Sequence, residues 1–195
     1  MLSDTRHMSI RLTRPTEADL RQLADAGGMD SLTYEPIGIS GNEEAPAGYH
    51  LDRWSRTLGA SGDVFARAAT TLRTWQVHRG AGLIVCDSGP PTVGSVVAMA
   101  APLPLGFIEV VCRVVDIVDL PDRFGFTYGT LQVHPEQGEE SFNVIRHDDG
   151  SVVFEIAAAS RPRHLLARAC PPIARHLQRS ATTRYLDAMS AAITT

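Results

Sequence analysis

Between Gly82 and Ser160 the chain alternates apolar and polar residues with a period of two, in six consecutive runs. They are "LIVCDS", "VGSVVAMAAPL", "FIEVVCRVVDIVD", "RFGFTYGTL", "EESFNVIRHD" and "SVVFEIAAAS". Alternation of this kind places every second side chain on one face of a strand. The connectors "SGPPT", "PLG", "LPD", "HPEQG" and "HDDG" are too short for crossover helices and suit hairpins. The region therefore predicts one antiparallel meander.

Helical periodicity brackets the meander. "TEADLRQLADAGG" reads as a lead-in helix within residues 1–30, packing on the outside. Thr16 is placed to cap it, Glu17 and Asp19 favour its first turn, and Gly27-Gly28 end it. "LTYEPIGIS" (Leu32 to Ser40) reads as a short strand and "YHLDRWSRTLG" as a second extended piece. In "GASGDVFARAATTLRTWQVHRG" the residues Phe65, Ala68, Ala69, Leu72, Trp75 and Gln76 share one helical face. "RPRHLLARA" gives a short helix stopped by Pro171-Pro172. A longer helix then runs from about Pro172 to Ala192, with Ile173, Leu177, Ala181, Ala188 and Ala192 as its apolar stripe.

With 195 residues the chain predicts a single domain, core 31–195. The order of elements is that of an α+β helix-grip fold, in which a curved antiparallel sheet of about six or seven strands wraps a long C-terminal helix. A narrow, alanine-rich helix leaves space against such a sheet, which predicts a cavity between them.

The formal charge of -4 argues against a general nucleic-acid binder, which needs a basic face. All 18 basic residues are arginine, as a GC-rich bacterial genome tends to encode, and the absence of lysine excludes Schiff-base and P-loop lysine chemistry. Cys86, Cys112 and Cys170 are odd in number and widely spaced, so neither a disulfide framework nor a zinc site is predicted and a reducing cytoplasm fits. No run reaches the ~18 apolar residues of a membrane span. No cofactor and no metal are indicated. Oligomeric state is not legible.

The runs "CRVVDIVDLPDRFGFTYGTLQVHPEQGEESFNV" and "FEIAAASRPRHLLARACPPIARHLQRSATTRYLDAM", with "YHLDRWSRTLGASGDVFARAATTLRTWQVHRGAG", resemble the family called domain of unknown function nineteen-ninety. The similarity extends from about Thr16 to Met189 and is carried by "GFTYGTL", "HPEQGEESF" and "SRP" together. The resemblance implies kinship with Bet v 1, START and polyketide cyclase proteins, which share the helix-grip fold and an apolar cavity. It brings no catalytic residues with it.

Candidate site residues follow from the faces of the strands. Alternation puts Glu140 on one face with Phe142 and Val144, so Glu140 points inward if Phe142 does, and an inward carboxylate needs a partner. Arg113, among Val111, Val115 and Ile117, is the candidate partner. The two form either a structural ion pair or an anchor for a ligand carboxylate or carbonyl. Tyr128 and Thr130 share a face with Phe126 and can offer hydroxyls to the same space. His134 with Glu136, Glu139 and Glu140 can shuttle protons or can be a solvated hairpin tip shaped by Pro135 and Gly138. The predicted ligand-binding set is Arg113, Tyr128, Thr130, Glu140, Phe142, Ile173 and Leu177, with Glu140, His134 and Tyr128 as acid–base candidates. Cys112 reads as a small hydrophobe, and His78 as a complement to a helix C-terminus.

Three functions remain open. The chain is a binding module for an apolar small molecule such as a lipid, polyketide or isoprenoid; a cyclase or isomerase using the same enclosed space; or a non-catalytic interaction protein with a packed core.

Overall fold

A computed structural model describes residues 9–60, 62–86, 89–163 and 171–194, with the side chains of 171–179 outside that description. The chain runs β1 (Ser9–Arg11), α1 (Glu17–Gly27), a 3-10 turn (Ile39–Gly41), β2 (His50–Gly59), α2 (Val64–Arg73) and α3 (Gln76–Gly80). Then come β3 (Ile84–Val85), β4 (Val96–Leu103), β5 (Gly106–Asp119), β6 (Arg123–Thr130), β7 (Glu136–Arg146), β8 (Val152–Pro162) and α4 (Pro171–Thr194). All six period-two runs are strands. They form a curved, unclosed antiparallel sheet in the order β2-β8-β7-β6-β5-β4-β3, with the three-residue β1 added on β5.

The strand registers carry the alternation across the sheet. Phe126, Phe142 and Ile156 stand opposite one another, as do Tyr128, Glu140 and Ala158. The face holding these residues buries Phe126, Tyr128, Phe142, Val144, Phe154 and Ile156 against Ala68, Leu72 and Trp75 and against Tyr185, Leu186 and Met189 of α4. Each such side chain contributes roughly 1.5–3 kcal/mol by leaving water, so this inner face holds most of the core. The outer face buries a smaller set, in which Leu20 of α1 packs on Ala98, Ala100 and Val111. The lead-in helix lies outside, as expected, and Thr16 and Asp19 close a reciprocal capping box at its start.

Three elements differ from expectation. Residues 32–40 are not a strand: Gly38 has φ 94°, in the left-handed region, and the segment folds over the outer face. The predicted helix of residues 64–80 divides at Trp75, which adopts φ 57°; this turns Trp75 into the core, leaves Gln76 exposed and buries Thr71 and His78 instead. On α4, among the described side chains, the buried residues are Thr182, Tyr185, Leu186 and Met189, one step around from the predicted Ala181, Ala188 and Ala192. The alanines set spacing: a Cβ on Gly80 of α3 would lie 2.9 Å from that of Ala188. Arg161 and Pro162, expected to open the short helix "RPRHLLARA", instead end β8, and the rest of that stretch from 164 on lies outside the described residues, as do Ser61 and Cys170. Among the described residues, no helix is long and apolar enough to cross a membrane.

Candidate functional site

Glu140 enters the inner face because Phe142, two residues on, is fully buried there. Its carboxylate accepts a hydrogen bond of 2.8 Å from the Tyr128 hydroxyl on the facing strand. Desolvation is the main reason its carboxyl is pushed up to about 7; the Tyr128 bond opposes the shift and the neighbouring Glu136 adds to it. Glu140 nonetheless keeps some accessible surface.

Around this carboxylate stand Tyr128, Tyr185 and Cys112, all buried and all held protonated, chiefly by desolvation. At Tyr185 the Tyr128 hydroxyl opposes the shift and the charge of Glu140 adds to it. Behind them lies His78, with no exposure, its ring centroid 4.8 Å from Phe142, 5.1 Å from Tyr185 and 5.8 Å from Tyr128. Among the described residues, neither ring nitrogen of His78 has a hydrogen-bond partner. Burial, with Arg79 adding to it, pushes its pKa down to about 3, so the imidazole is neutral at ordinary pH. Glu136, on the same inner face, bonds Ser160 and is likewise raised by desolvation, with the charge of Asp52 contributing.

Arg113 is not part of this group. It lies on the outer face with Val111 and donates to the carbonyls of Gly27 and Gly28 at 3.2 and 2.9 Å, closing the C-terminal end of α1. The expected Arg113–Glu140 pair is therefore not formed. A bulge between Val114 and Asp116 also turns Ile117 to the inner core, so the four-residue face read from alternation is interrupted. Thr130 is buried, and its hydroxyl is shared between the Thr33 hydroxyl and the Gly138 N–H, which leaves it committed to the loop. His134 accepts the Glu136 N–H at Nδ1, 3.0 Å, and so shapes the turn before β7, whereas the Glu136 side chain, expected to be solvated, points inward. Ile173 and Leu177 lie on α4, with side chains outside the described residues. Among the described residues the interface between the sheet and α4, where the cavity is expected, is dense with rings.

The structure also adds residues the sequence reading missed. His78 follows Trp75 by three positions, a spacing that would have placed both on one buried face had the helix end not suggested a dipole role. Tyr185, Leu186 and Met189 form an ordinary i, i+1, i+4 core face, hidden by the alanines around it. A separate hollow of about 700 Å3 lies on the outer face, where Arg53, Ser55, Thr127, Ser141, Asn143 and Glu155 contribute to its lining.

Residues 33–188 match the model of a domain of unknown function, DUF1990. The chain belongs to this family. It is 23% identical to a UPF0548 protein of Dictyostelium discoideum, over 85% of this chain and 87% of that one. It is 24% identical to a UPF0548 protein of Arabidopsis thaliana, over 79% and 82%. A Deinococcus radiodurans UPF0548 protein is 40% identical over 73 residues, 37% of each chain. Among solved structures, a hypothetical protein of Helicobacter pylori aligns with TM-score 0.56 at 11% identity, over 84% of this chain and 96% of that one. Ara h 8.0201 aligns with TM-score 0.50 at 12% identity, over 75% and 99%. These neighbours make the DUF1990 fold Bet v 1-like.

Proposed function

We propose that this DUF1990 protein binds an apolar small molecule, lipid-, polyketide- or isoprenoid-like, between the inner face of the sheet and α4, with Glu140 and Tyr128 at the polar end of the site. The observation that carries the reading is Glu140 itself: an inward carboxylate, partly accessible, whose pKa is pushed to about 7 by desolvation. A fold gains nothing in stability by placing a carboxylate there, so a ligand function accounts for it. Native mass spectrometry of the protein as purified, followed by solvent extraction, tests the reading. A stoichiometric apolar molecule is expected; an empty protein that also fails to take up an apolar dye would contradict it.

The second reading is a cyclase or isomerase. A carboxylate that titrates near 7, 2.8 Å from a tyrosine that remains protonated, is suited to take a proton from a bound molecule and return it. Loss of turnover of the extracted ligand in Glu140→Gln, with binding retained, would favour catalysis over storage or transport.

A further inference from the structure

The inward carboxylates differ from their outward counterparts in what neutralises them. On the outer face Glu139 is 2% exposed and takes four hydrogen bonds, from the Tyr34 hydroxyl, the Gly38 and Ser40 N–H groups and the Ser40 hydroxyl. Glu109, 3% exposed, bonds Ser9 and pairs with Arg11 at 3.3 Å. On the inner face Glu140 has the Tyr128 hydroxyl and Glu136 has Ser160, and neither forms an ion pair with a cation among the described residues. Every basic side chain of this chain apart from histidine is an arginine, and those pairing with carboxylates among the described residues, Arg11, Arg21, Arg56, Arg67 and Arg73, do so elsewhere.

The second observation is His78. It is fully buried, unpartnered at both nitrogens among the described residues, and its ring lies against Tyr128 and Tyr185, the two hydroxyls of the Glu140 network. A neutral imidazole presents one acceptor nitrogen. Leaving it and a carboxylate short of partners in one aromatic setting costs free energy unless something supplies donors and charge. An alkylammonium supplies both, with up to three N–H donors, one positive charge and an affinity for ring faces of the kind Phe142, Tyr128 and Tyr185 provide.

We propose that the ligand of the inner-face site is an apolar amine, its three ammonium donors taken by Glu140, by one tyrosine oxygen, of Tyr128 or Tyr185, and by a nitrogen of His78. This rests on the apolar-ligand reading above and specifies the ligand class. An alcohol would satisfy the hydrogen bonds but not the charge, and a carboxylic acid would add a second anion beside Glu140 and Glu136.

Three probes that share a chain and differ in the head group separate these cases: octylamine, octan-1-ol and octanoate, each displacing Nile red from the intact protein. Octylamine is expected to bind at least tenfold more tightly than octanol, and octanoate least. In Glu140→Gln the advantage of the amine should fall to within about threefold of octanol. A pH series on the unaltered protein needs no variant. Octylamine stays charged throughout, since an alkylammonium titrates at about 10, whereas Glu140, pushed up to about 7, acquires a proton as pH falls from 8 to 5.5. Among the described residues, the groups facing Glu140 are Tyr128 from β6, Cys112 from β5, Glu136 from β7 and Tyr185 from α4, with Arg184 beside Tyr185 and His78 behind. Amine affinity should therefore drop about tenfold over that interval and octanol affinity should not. Equal binding of octanol or octanoate, or a flat pH profile for the amine, would overturn the amine assignment and leave the apolar site standing. Failure of Nile red and all three probes to bind would overturn both.

Discussion

Glu139 and Glu140 are sequence neighbours that point to opposite faces of the same strand, and their surroundings are opposite in kind. Glu139 gathers four hydrogen bonds and fastens the 34–40 segment to the sheet. Glu140 faces the inner space with one tyrosine and a neighbouring carboxylate. One serves the fold, and the other carries the ligand proposal.

The first prediction concerns Glu139. Replacing it with alanine strands the Gly38 and Ser40 N–H groups in a buried setting, and hydrogen bonds to charged groups contribute about 1.5–3 kcal/mol each. Glu139→Ala should lower unfolding stability by about 3 kcal/mol in urea titration while dye uptake at the inner face persists.

Glu140 has the reverse signature. Its folded pKa, about 7, lies above the ordinary value of 4.5, so the protonated form is the one the fold favours. The stability this confers is present below about pH 4.5 and is lost as pH rises through about 7. Glu140→Gln should therefore match the unaltered protein at pH 4 and exceed it at pH 8 by about 2 kcal/mol, after allowance for partial exposure.

His78 acts in the other direction. Its pKa is lowered from 6.5 to about 3, so its neutral form is favoured in the fold, and the stability tied to neutrality is lost as pH falls from about 6.5 towards 3. His78→Phe keeps the ring packing, removes two unpartnered nitrogens and should flatten the acid side of the stability profile, with a gain of about 1–3 kcal/mol near neutrality. His78→Ala, which leaves a cavity among five aromatic rings, should cost about 3–5 kcal/mol. Calorimetry across pH 3 to 8 reads both.

Arg113→Met tests the reassignment of that residue. Loss of its two bonds to the end of α1 should reduce stability by about 1–3 kcal/mol, and probe affinity at the inner face should not change.

What could be read from the sequence was whatever depends on period and punctuation. Phe126, Phe142 and Val144 declared one face of the meander, and with them Glu140 and Tyr128, because alternation is a property of the strand alone. Arg113 escaped the same logic because the bulge after Val114 interrupts the period and because α1 covers that face, a tertiary fact. The 34–40 segment looked like a strand because its apolar residues alternate, yet its backbone bonds go to the Glu139 side chain, a partner about one hundred positions away. His78 was missed because its position near a helix end suggests exposure, although its three-residue spacing from the buried Trp75 carried the signal.

The most direct measurement is a crystal structure of the protein purified with its native contents, examined between β7 and α4. The account predicts continuous density along Phe142 and Phe154 whose polar end lies within hydrogen-bond distance, about 3 Å, of Glu140. Coordinates in which the side chains of Ile173 and Leu177 fill that space against the strand residues, leaving Glu140 beside protein atoms alone, would contradict it.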